Sequence, residues 1–258
     1  YRVLGAGYYV LSRGDSFSQM ALNILHIPVN FGCEIGHLWY IYMLIGLYLV
    51  TPIISPWLQQ ASKRELEGYL GLWIITTFLP YIHLVYPEVL GEAFWNDTPL
   101  LYYFTGFIGY FILGYYLKRF GYPSAALSWI ILIVGFALSA GIFCSRIDTV
   151  PTVPELELSW GFCTVNVFLM TLGLFSLIGR LSLKGKNAAC KLLSDISIKS
   201  YGMYLAHILF LNFYYGLFKS ISDAAYVTIP LIAVCTFITV YIFVYLLSYL
   251  PKSKYIIG

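Results

Sequence analysis

Seven long apolar stretches constrain this chain more than any other feature of its sequence. Each has roughly the 20 mostly apolar residues that an α-helix needs to cross about 30 Å of hydrocarbon. They occupy residues 38–54, 69–86, 100–117, 124–144, 160–179, 200–218 and 228–250. In each stretch the apolar residues would cover every side of a helix and do not alternate with polar residues as in a strand, which favours helices. The sequence therefore predicts an all-α polytopic transmembrane bundle with about seven complete spans.

The composition agrees with a membrane protein. Of the 258 residues, 60% are hydrophobic and 10% are charged, whereas soluble domains carry about 25% charged residues. No segment has the length and polarity of a linker, so residues 1–258 are predicted to form one transmembrane domain. Residues 1–11 are too short to span and lack a signal-peptide pattern. We therefore expect an earlier helix to end there and the chain to be the C-terminal portion of a larger bundle.

The charges of the connections predict an orientation, because Lys and Arg are retained on the cytoplasmic side. Basic residues occupy every second connection: Lys63 and Arg64; Lys118 and Arg119; Arg180, Lys184, Lys186, Lys191 and Lys199; Lys252 and Lys254. These connections and the C-terminus are predicted to be cytoplasmic. The net charge of +3 follows from this pattern, and without a basic stripe carrying exposed aromatics it does not indicate nucleic-acid binding.

Polar side chains inside predicted spans are few, and such residues usually face a partner or a cavity. His207 lies in the middle of its stretch, with Tyr204 one turn before it and Ser200 two turns before it on one helical face. A neutral imidazole there can accept a proton from an alcohol, which suits group transfer to a hydroxyl. A structural histidine bonded to a neighbouring helix is the alternative.

Other candidates have structural alternatives of equal or greater weight. His37 begins the first stretch and is followed by Trp39 and Tyr40, so an interfacial anchor fits it as well as a site role. Asn166 and Asn212 favour hydrogen bonds that join helices over ligand binding.

Glycine and cysteine patterns indicate packing more than chemistry. Gly106, Gly109 and Gly114 are predicted to mark close helix packing, because no strand precedes them as in a phosphate-binding loop.

Cys144 and Cys163 both lie near the predicted outer face, where either a disulfide or two free thiols are possible. No metal is expected, because no His, Cys or carboxylate group has ligand spacing.

A basic cluster suggests where an anionic donor would bind. Arg180, Lys184 and Lys186 could attract the phosphates of a coenzyme A thioester. The retention of positive charge in cytoplasmic loops would produce the same cluster without any ligand.

Three stretches, residues 37–52, 104–117 and 197–207, resemble hallmark stretches of the bacterial membrane acyltransferase-3 family in order and spacing. The resemblance implies transfer of an acyl group, often acetyl, from cytoplasmic acetyl-CoA or another acyl-CoA to a hydroxyl of an envelope polysaccharide or glycolipid. It implies a bacterial cytoplasmic membrane location with membrane lipid around the protein. It also gives His37 and His207 supporting roles in the site, and Tyr204, one turn before His207, is a further candidate catalytic residue.

Two differences from the family pattern qualify what the resemblance implies. The family's best-known catalytic histidine follows an arginine in a first helix, which we expect to lie upstream of Tyr1. Leu44 and Ile45 stand where one subgroup has paired carboxylates, which places this chain nearer the polysaccharide-modifying subgroup. A carbohydrate exporter or flippase is the alternative function, and a structural membrane subunit is a third. The acceptor sugar and the oligomeric state are left open.

Overall fold

The computed structural model describes residues 10, 14, 16–28, 37–86, 100–181, 188–219, 224–251 and 253, and every regular element in these ranges is helical. In chain order the α-helices are α1 Phe17–Leu25, α2 Trp39–Gln60, α3 Lys63–Thr76, α4 Leu79–Val85, α5 Ile108–Phe120, α6 Ala125–Arg146, α7 Val153–Glu157, α8 Val165–Gly179, α9 Ala188–Phe218 and α10 Ala225–Leu247. Two 3-10 helices, Tyr102–Phe104 and Leu158–Trp160, precede α5 and α8. The predicted all-α class is confirmed.

The chain packs into two compact units. Tyr1–Trp39 and Leu183–Gly258 form the first unit, and Tyr40–Ser182 form the second. The first unit therefore holds α1, α9 and α10, while nearly all of α2 and every helix up to α8 belong to the second. That the whole chain is one functional domain stays a prediction.

Four helical segments within the described ranges are long and apolar enough to cross a membrane. They are α2, the segment Lys63–Val85 that contains α3 and α4, α6, and α10. A fifth is added if Val153–Trp160 and α8, which are bent by 42° relative to each other, count as one span. These segments correspond to five of the seven predicted stretches, so the count of seven is not confirmed.

The two remaining stretches differ from the prediction for identifiable reasons. Residues 100–117 are interrupted at Gly106, whose φ of +77° ends any helical path. The helix that follows, α5, has 13 residues and is about 20 Å long, which is short of a bilayer crossing. Residues 200–218 lie inside the 31-residue α9, whose first half contains Asp195 and Lys199 and is too polar for a continuous span.

A buried tryptophan organises the core of the second unit. Trp73 on α3 is fully buried, and its indole N–H donates to the Gly106 carbonyl at 3.0 Å. Its ring centroid lies 4.8 Å from that of Tyr110 and 5.3 Å from that of Phe168. A methyl group at Gly109 would overlap the indole, so this glycine lets α5 approach α3. The aromatic core depends on that close approach.

The prediction of close packing is therefore confirmed for one of three glycines. It is right for Gly109 and wrong for Gly106 and Gly114, because an added Cβ at either of these two would meet nothing within 4 Å. Gly106 instead supplies the positive φ before α5, and Gly114 faces open space.

The backbones of helices α6 and α8 lie close together at two glycines. A Cβ added to Gly135 would lie 2.7 Å from the Met170 nitrogen, and one added to Gly173 would lie 2.7 Å from the Ser128 oxygen. Small residues thus replace side-chain interdigitation with backbone contact, as is common between membrane helices.

Two basic residues, Arg119 and Lys63, join helix ends at one end of the second unit. The Arg119 guanidinium, at the end of α5, donates to the carbonyls of Leu58 and Ala61 at 3.0 Å each. It thereby satisfies carbonyl groups that the end of α2 leaves without helical partners. Lys63 at the start of α3 lies over the Phe120 ring, 5.9 Å from its centroid. The predicted cytoplasmic connections of this unit therefore share one end.

In the first unit, α9 and α10 pack along an apolar seam. Met203 and Ala206 from α9 are buried against Val240 and Val244 from α10. Met203 directly precedes Tyr204 in the sequence, and Ala206 directly precedes His207. The seam therefore fixes the rotation of α9 and, with it, the direction of its polar face.

Candidate functional site

Three of the predicted site residues come together in the first unit. His37 lies in the short turn before α2, and Tyr204 and His207 lie three residues apart on α9. Ring centroids are separated by 5.1 Å for His37 and His207, 5.7 Å for His37 and Tyr204, and 5.6 Å for Tyr204 and His207. The three partly buried rings form a triangle, which we call the His–Tyr triangle.

The hydrogen bond of His207 determines which ring nitrogen is available for proton transfer. Its Nδ1 lies 2.6 Å from the backbone carbonyl oxygen of Tyr204. Because a carbonyl oxygen only accepts, Nδ1 carries the hydrogen and the lone pair of the neutral ring is on Nε2. The helix itself therefore orients His207 with Nε2 as the basic atom.

Tyr204 joins α9 to the turn before α2. Its hydroxyl donates to the backbone carbonyl of His37, a residue 167 positions away in the chain. This bond holds the His37 backbone against the face of α9 that carries His207. Ser200, predicted on the same face, is exposed and donates to the Ser197 carbonyl at 2.8 Å instead. It is not part of the His–Tyr triangle.

His37 is held neutral by its surroundings. Burial and, secondarily, the proximity of His207 lower the pKa of His37 from 6.5 to about 4. At neutral pH His37 therefore carries no charge. Because His37 is neutral, it places no positive charge beside the His207 ring.

A second polar network lies in the same unit and was not predicted from the sequence. Asp195 pairs with Lys199 one helical turn away and accepts a hydrogen bond from the Tyr241 hydroxyl at 2.7 Å. Lys199 also lies over the Tyr245 ring, 5.3 Å from its centroid. The Lys199 ammonium, and then the Tyr241 hydroxyl, lower the pKa of Asp195 below its ordinary value. The network joins the first half of α9 to α10.

Lys199 was predicted to lie in a basic connection between spans, but it lies within α9. It is 9% exposed within α9, because its ammonium has a carboxylate and an aromatic face as neighbours. The (i, i+4) spacing of Asp195 and Lys199 is the sequence feature from which this ion pair could have been predicted.

The predicted donor-binding residues are only partly described. Arg180 ends α8, and its guanidinium donates to the carbonyls of Tyr122 and Pro123. These bonds join the end of α8 to the connection before α6, which is a structural role. Lys184 and Lys186 lie outside the described residues. Binding of an acyl donor by these three residues stays a prediction.

Asn166 joins helices in the second unit. It is fully buried, and its amide donates to the Ser139 hydroxyl at 2.7 Å and to the Ser159 carbonyl at 2.8 Å. Its side-chain oxygen accepts from the Tyr81 hydroxyl at 2.7 Å. The predicted structural role is confirmed for this residue. Asn212, by contrast, is exposed on α9.

Cysteine and metal chemistry add no further candidate among the described residues. Cys144 and Cys163 are not joined by a disulfide, which answers the alternative that the sequence left open. No three His, Cys, Asp or Glu side chains in these ranges are grouped so that they could hold a metal ion.

A chain with four or five helical segments that are long and apolar enough to cross a membrane has the architecture of an integral membrane protein, and its partly buried histidine–tyrosine cluster contains groups that can accept or donate a proton. Comparison with protein-family models makes the assignment more specific. The model of the acyltransferase-3 acyltransferase domain matches residues 1–249, so the chain belongs to the acyltransferase-3 family and is a membrane acyltransferase. Comparisons with curated proteins and with solved structures found no significant match.

Proposed function

We propose that this protein is a membrane O-acyltransferase that moves an acetyl or similar acyl group from a cytoplasmic acyl-CoA to a hydroxyl of an envelope polysaccharide or glycolipid. The observation that carries the proposal is the His–Tyr triangle, in which His207 presents Nε2 as a base. Acyltransferase-3 membership supports the reaction class. The donor, the acceptor and the residue roles are our proposal.

The chemistry requires one proton to leave the acceptor hydroxyl. His207 Nε2 takes that proton, the oxygen attacks the thioester carbonyl, and the carbon–sulfur bond breaks to release the coenzyme A thiolate. The thiolate then takes up the proton that His207 accepted, which leaves an ester, the free thiol and a neutral His207. Tyr204 and His37 are positioning residues, since Tyr204 bonds the His37 backbone and the His37 ring packs edge-on against His207.

The predicted orientation supports a cytoplasmic acyl donor. Basic residues at one end of the second unit agree with a cytoplasmic end, where acyl-CoA is available. Arg180, Lys184 and Lys186 are proposed to attract its phosphates. The proposed location is the bacterial cytoplasmic membrane, with the C-terminus in the cytoplasm and membrane lipid and an envelope carbohydrate as partners.

The proposal is tested with the intact protein in membranes and an acyl-CoA carrying an isotope label in its acyl group. Wild type is expected to place the label in alkali-labile ester linkage on envelope carbohydrate. His207→Gln is expected to lose this transfer by a factor of about 10² or more, the usual contribution of a general base. His26→Gln is the matched control, because His26 is exposed outside the cluster.

Two results would contradict the proposal. Carbohydrate that crosses the membrane without gaining label would favour the exporter alternative. Equal labelling by wild type and His207→Gln, with both proteins folded and present at equal amounts, would remove His207 from the chemistry.

A further inference from the structure

A groove of about 350 Å³ lies between α2 and α5 in the second unit. Its lining residues are Ser55, Leu58, Gln59, Phe111, Gly114, Tyr115 and Lys118. Those from α2 are spaced by three and four residues, and so are those from α5, so each helix contributes a single face. The volume lies in the range of small-ligand sites.

The floor of the groove exists because residue 114 is glycine. An added Cβ there would meet nothing within 4 Å, so the space above Gly114 is open along the middle of α5. Phe111 and Tyr115 flank it on the same helix, and Leu58, which is 3% exposed, closes the opposite side. This part of the groove is apolar and suits a hydrocarbon chain.

A cation stands at the end of the groove where both helices terminate. Gln59 is in the last turn of α2 and Lys118 is in the last turn of α5. The bonds from Arg119 to Leu58 and Ala61 hold these two helix ends side by side. Lys118 is exposed and has no carboxylate partner among the described residues, whereas the Arg119 guanidinium is already bonded to two carbonyls.

We propose that this groove binds one anionic membrane phospholipid, with an acyl chain over Gly114 and the phosphate at Lys118. The groove borders α2, a membrane-crossing helix, so acyl chains surround it. The unpaired ammonium selects a negative headgroup, at about 1 kcal/mol for one lysine near a membrane surface.

The test measures the lipid retained by the intact protein in mild detergent after incubation with equal amounts of phosphatidylglycerol and phosphatidylcholine. Wild type is expected to retain phosphatidylglycerol preferentially, as counted by mass spectrometry of the protein–lipid complex. Gly114→Leu should abolish retention by filling the groove. Lys118→Gln should still retain lipid but lose about five-fold in headgroup preference, the equivalent of about 1 kcal/mol.

Matched controls separate the groove from general effects on the helices. Gly141→Leu adds the same side chain to α6 where nothing lies within 4 Å of a Cβ, and Lys191→Gln removes an exposed lysine elsewhere; both should behave as wild type. Equal retention by wild type and Gly114→Leu would overturn the proposal. So would wild-type retention without headgroup preference, or a dimer that only Gly114→Leu dissociates.

Discussion

His207 and Tyr204 illustrate how local and distant contacts combine at the level of single residues. Their spacing on one helix was sufficient to predict that they share a face of α9. The partner of that face was not predictable, because the Tyr204 hydroxyl reaches the carbonyl of His37 across 167 residues. The position of His37 left an interfacial anchor and a site role equally open, and family resemblance gave it a site role. Sequence spacing thus predicted that Tyr204 and His207 are neighbours, and packing brings His37 to them.

Replacing Tyr204 with Phe removes one hydrogen bond and keeps the ring. Because the bond positions the His37 backbone beside His207, we expect the rate of acyl transfer to fall by about 2- to 10-fold, the equivalent of one net hydrogen bond of 0.5–1.5 kcal/mol. The Michaelis constant for the acyl donor should be unchanged. Steady-state kinetics check this, with Tyr201→Phe as control, since Tyr201 is an exposed neighbour on α9. A change confined to the Michaelis constant would contradict a positioning role.

Because the pKa of His37 is lowered in the folded protein, the direction in which stability changes with pH can be predicted. The folded protein keeps His37 neutral down to about pH 4, whereas the unfolded chain protonates it near 6.5. Its contribution to stability is therefore complete above pH 6.5 and is lost as the pH falls towards 4. The thermal unfolding temperature in detergent should fall more steeply for wild type than for His37→Gln across this window. His26→Gln should follow wild type, and equal slopes for wild type and His37→Gln would refute the assignment.

At the scale of helices, the sequence predicts where apolar segments occur better than where they are interrupted. The break between α3 and α4 lies just before Pro80, whose nitrogen cannot donate to the Thr76 carbonyl one turn earlier. The break at Gly106 depends on a positive φ that many glycines do not adopt. The extension of α9 beyond its apolar part depends on the pairing of Lys199 with Asp195. Hydropathy alone does not register any of these three effects.

Because α6 and α8 are in contact at one of two glycines, replacing each glycine with alanine is expected to change the stability of the protein in opposite directions. Gly173→Ala places a methyl group 2.7 Å from backbone atoms of α6, so it should destabilise the protein by about 1–3 kcal/mol. Gly141→Ala meets nothing within 4 Å and should stabilise it by up to about 1 kcal/mol through helix propensity. Thermal unfolding of both variants in the same detergent checks this. Stabilisation by both would show that the two helices are not in backbone contact.

At the scale of the whole molecule, the distribution of charge relates the fold to the membrane. Arg119 contacts the end of α2, Lys63 lies beside the end of α5, and Arg180 binds the connection before α6. Alternation of charge along the sequence anticipated this grouping, because basic residues stay on one side of the membrane. The number of spans was less predictable, since α5 is shorter and α9 more polar than a complete crossing requires.

The predicted orientation is tested by labelling single cysteines in a background without the natural ones. Arg64→Cys, at the basic end of the second unit, should react with a membrane-impermeant thiol reagent only after the cells are permeabilised. Asp148→Cys, in the turn after α6, should react in intact cells. The reverse pattern would invert the orientation and place the basic end away from cytoplasmic acyl-CoA.

The central claim is that His207 acts as the base in acyl transfer, and its most direct test is a rate comparison in single turnover. Wild type, His207→Gln and His26→Gln are brought to equal amounts in membranes and mixed with labelled acyl-CoA and acceptor carbohydrate. The rate for His207→Gln is expected to be at least about 10² times lower than that of wild type, and the rate for His26→Gln is expected to be unchanged. A folded His207→Gln protein that transfers the acyl group at the wild-type rate would contradict it.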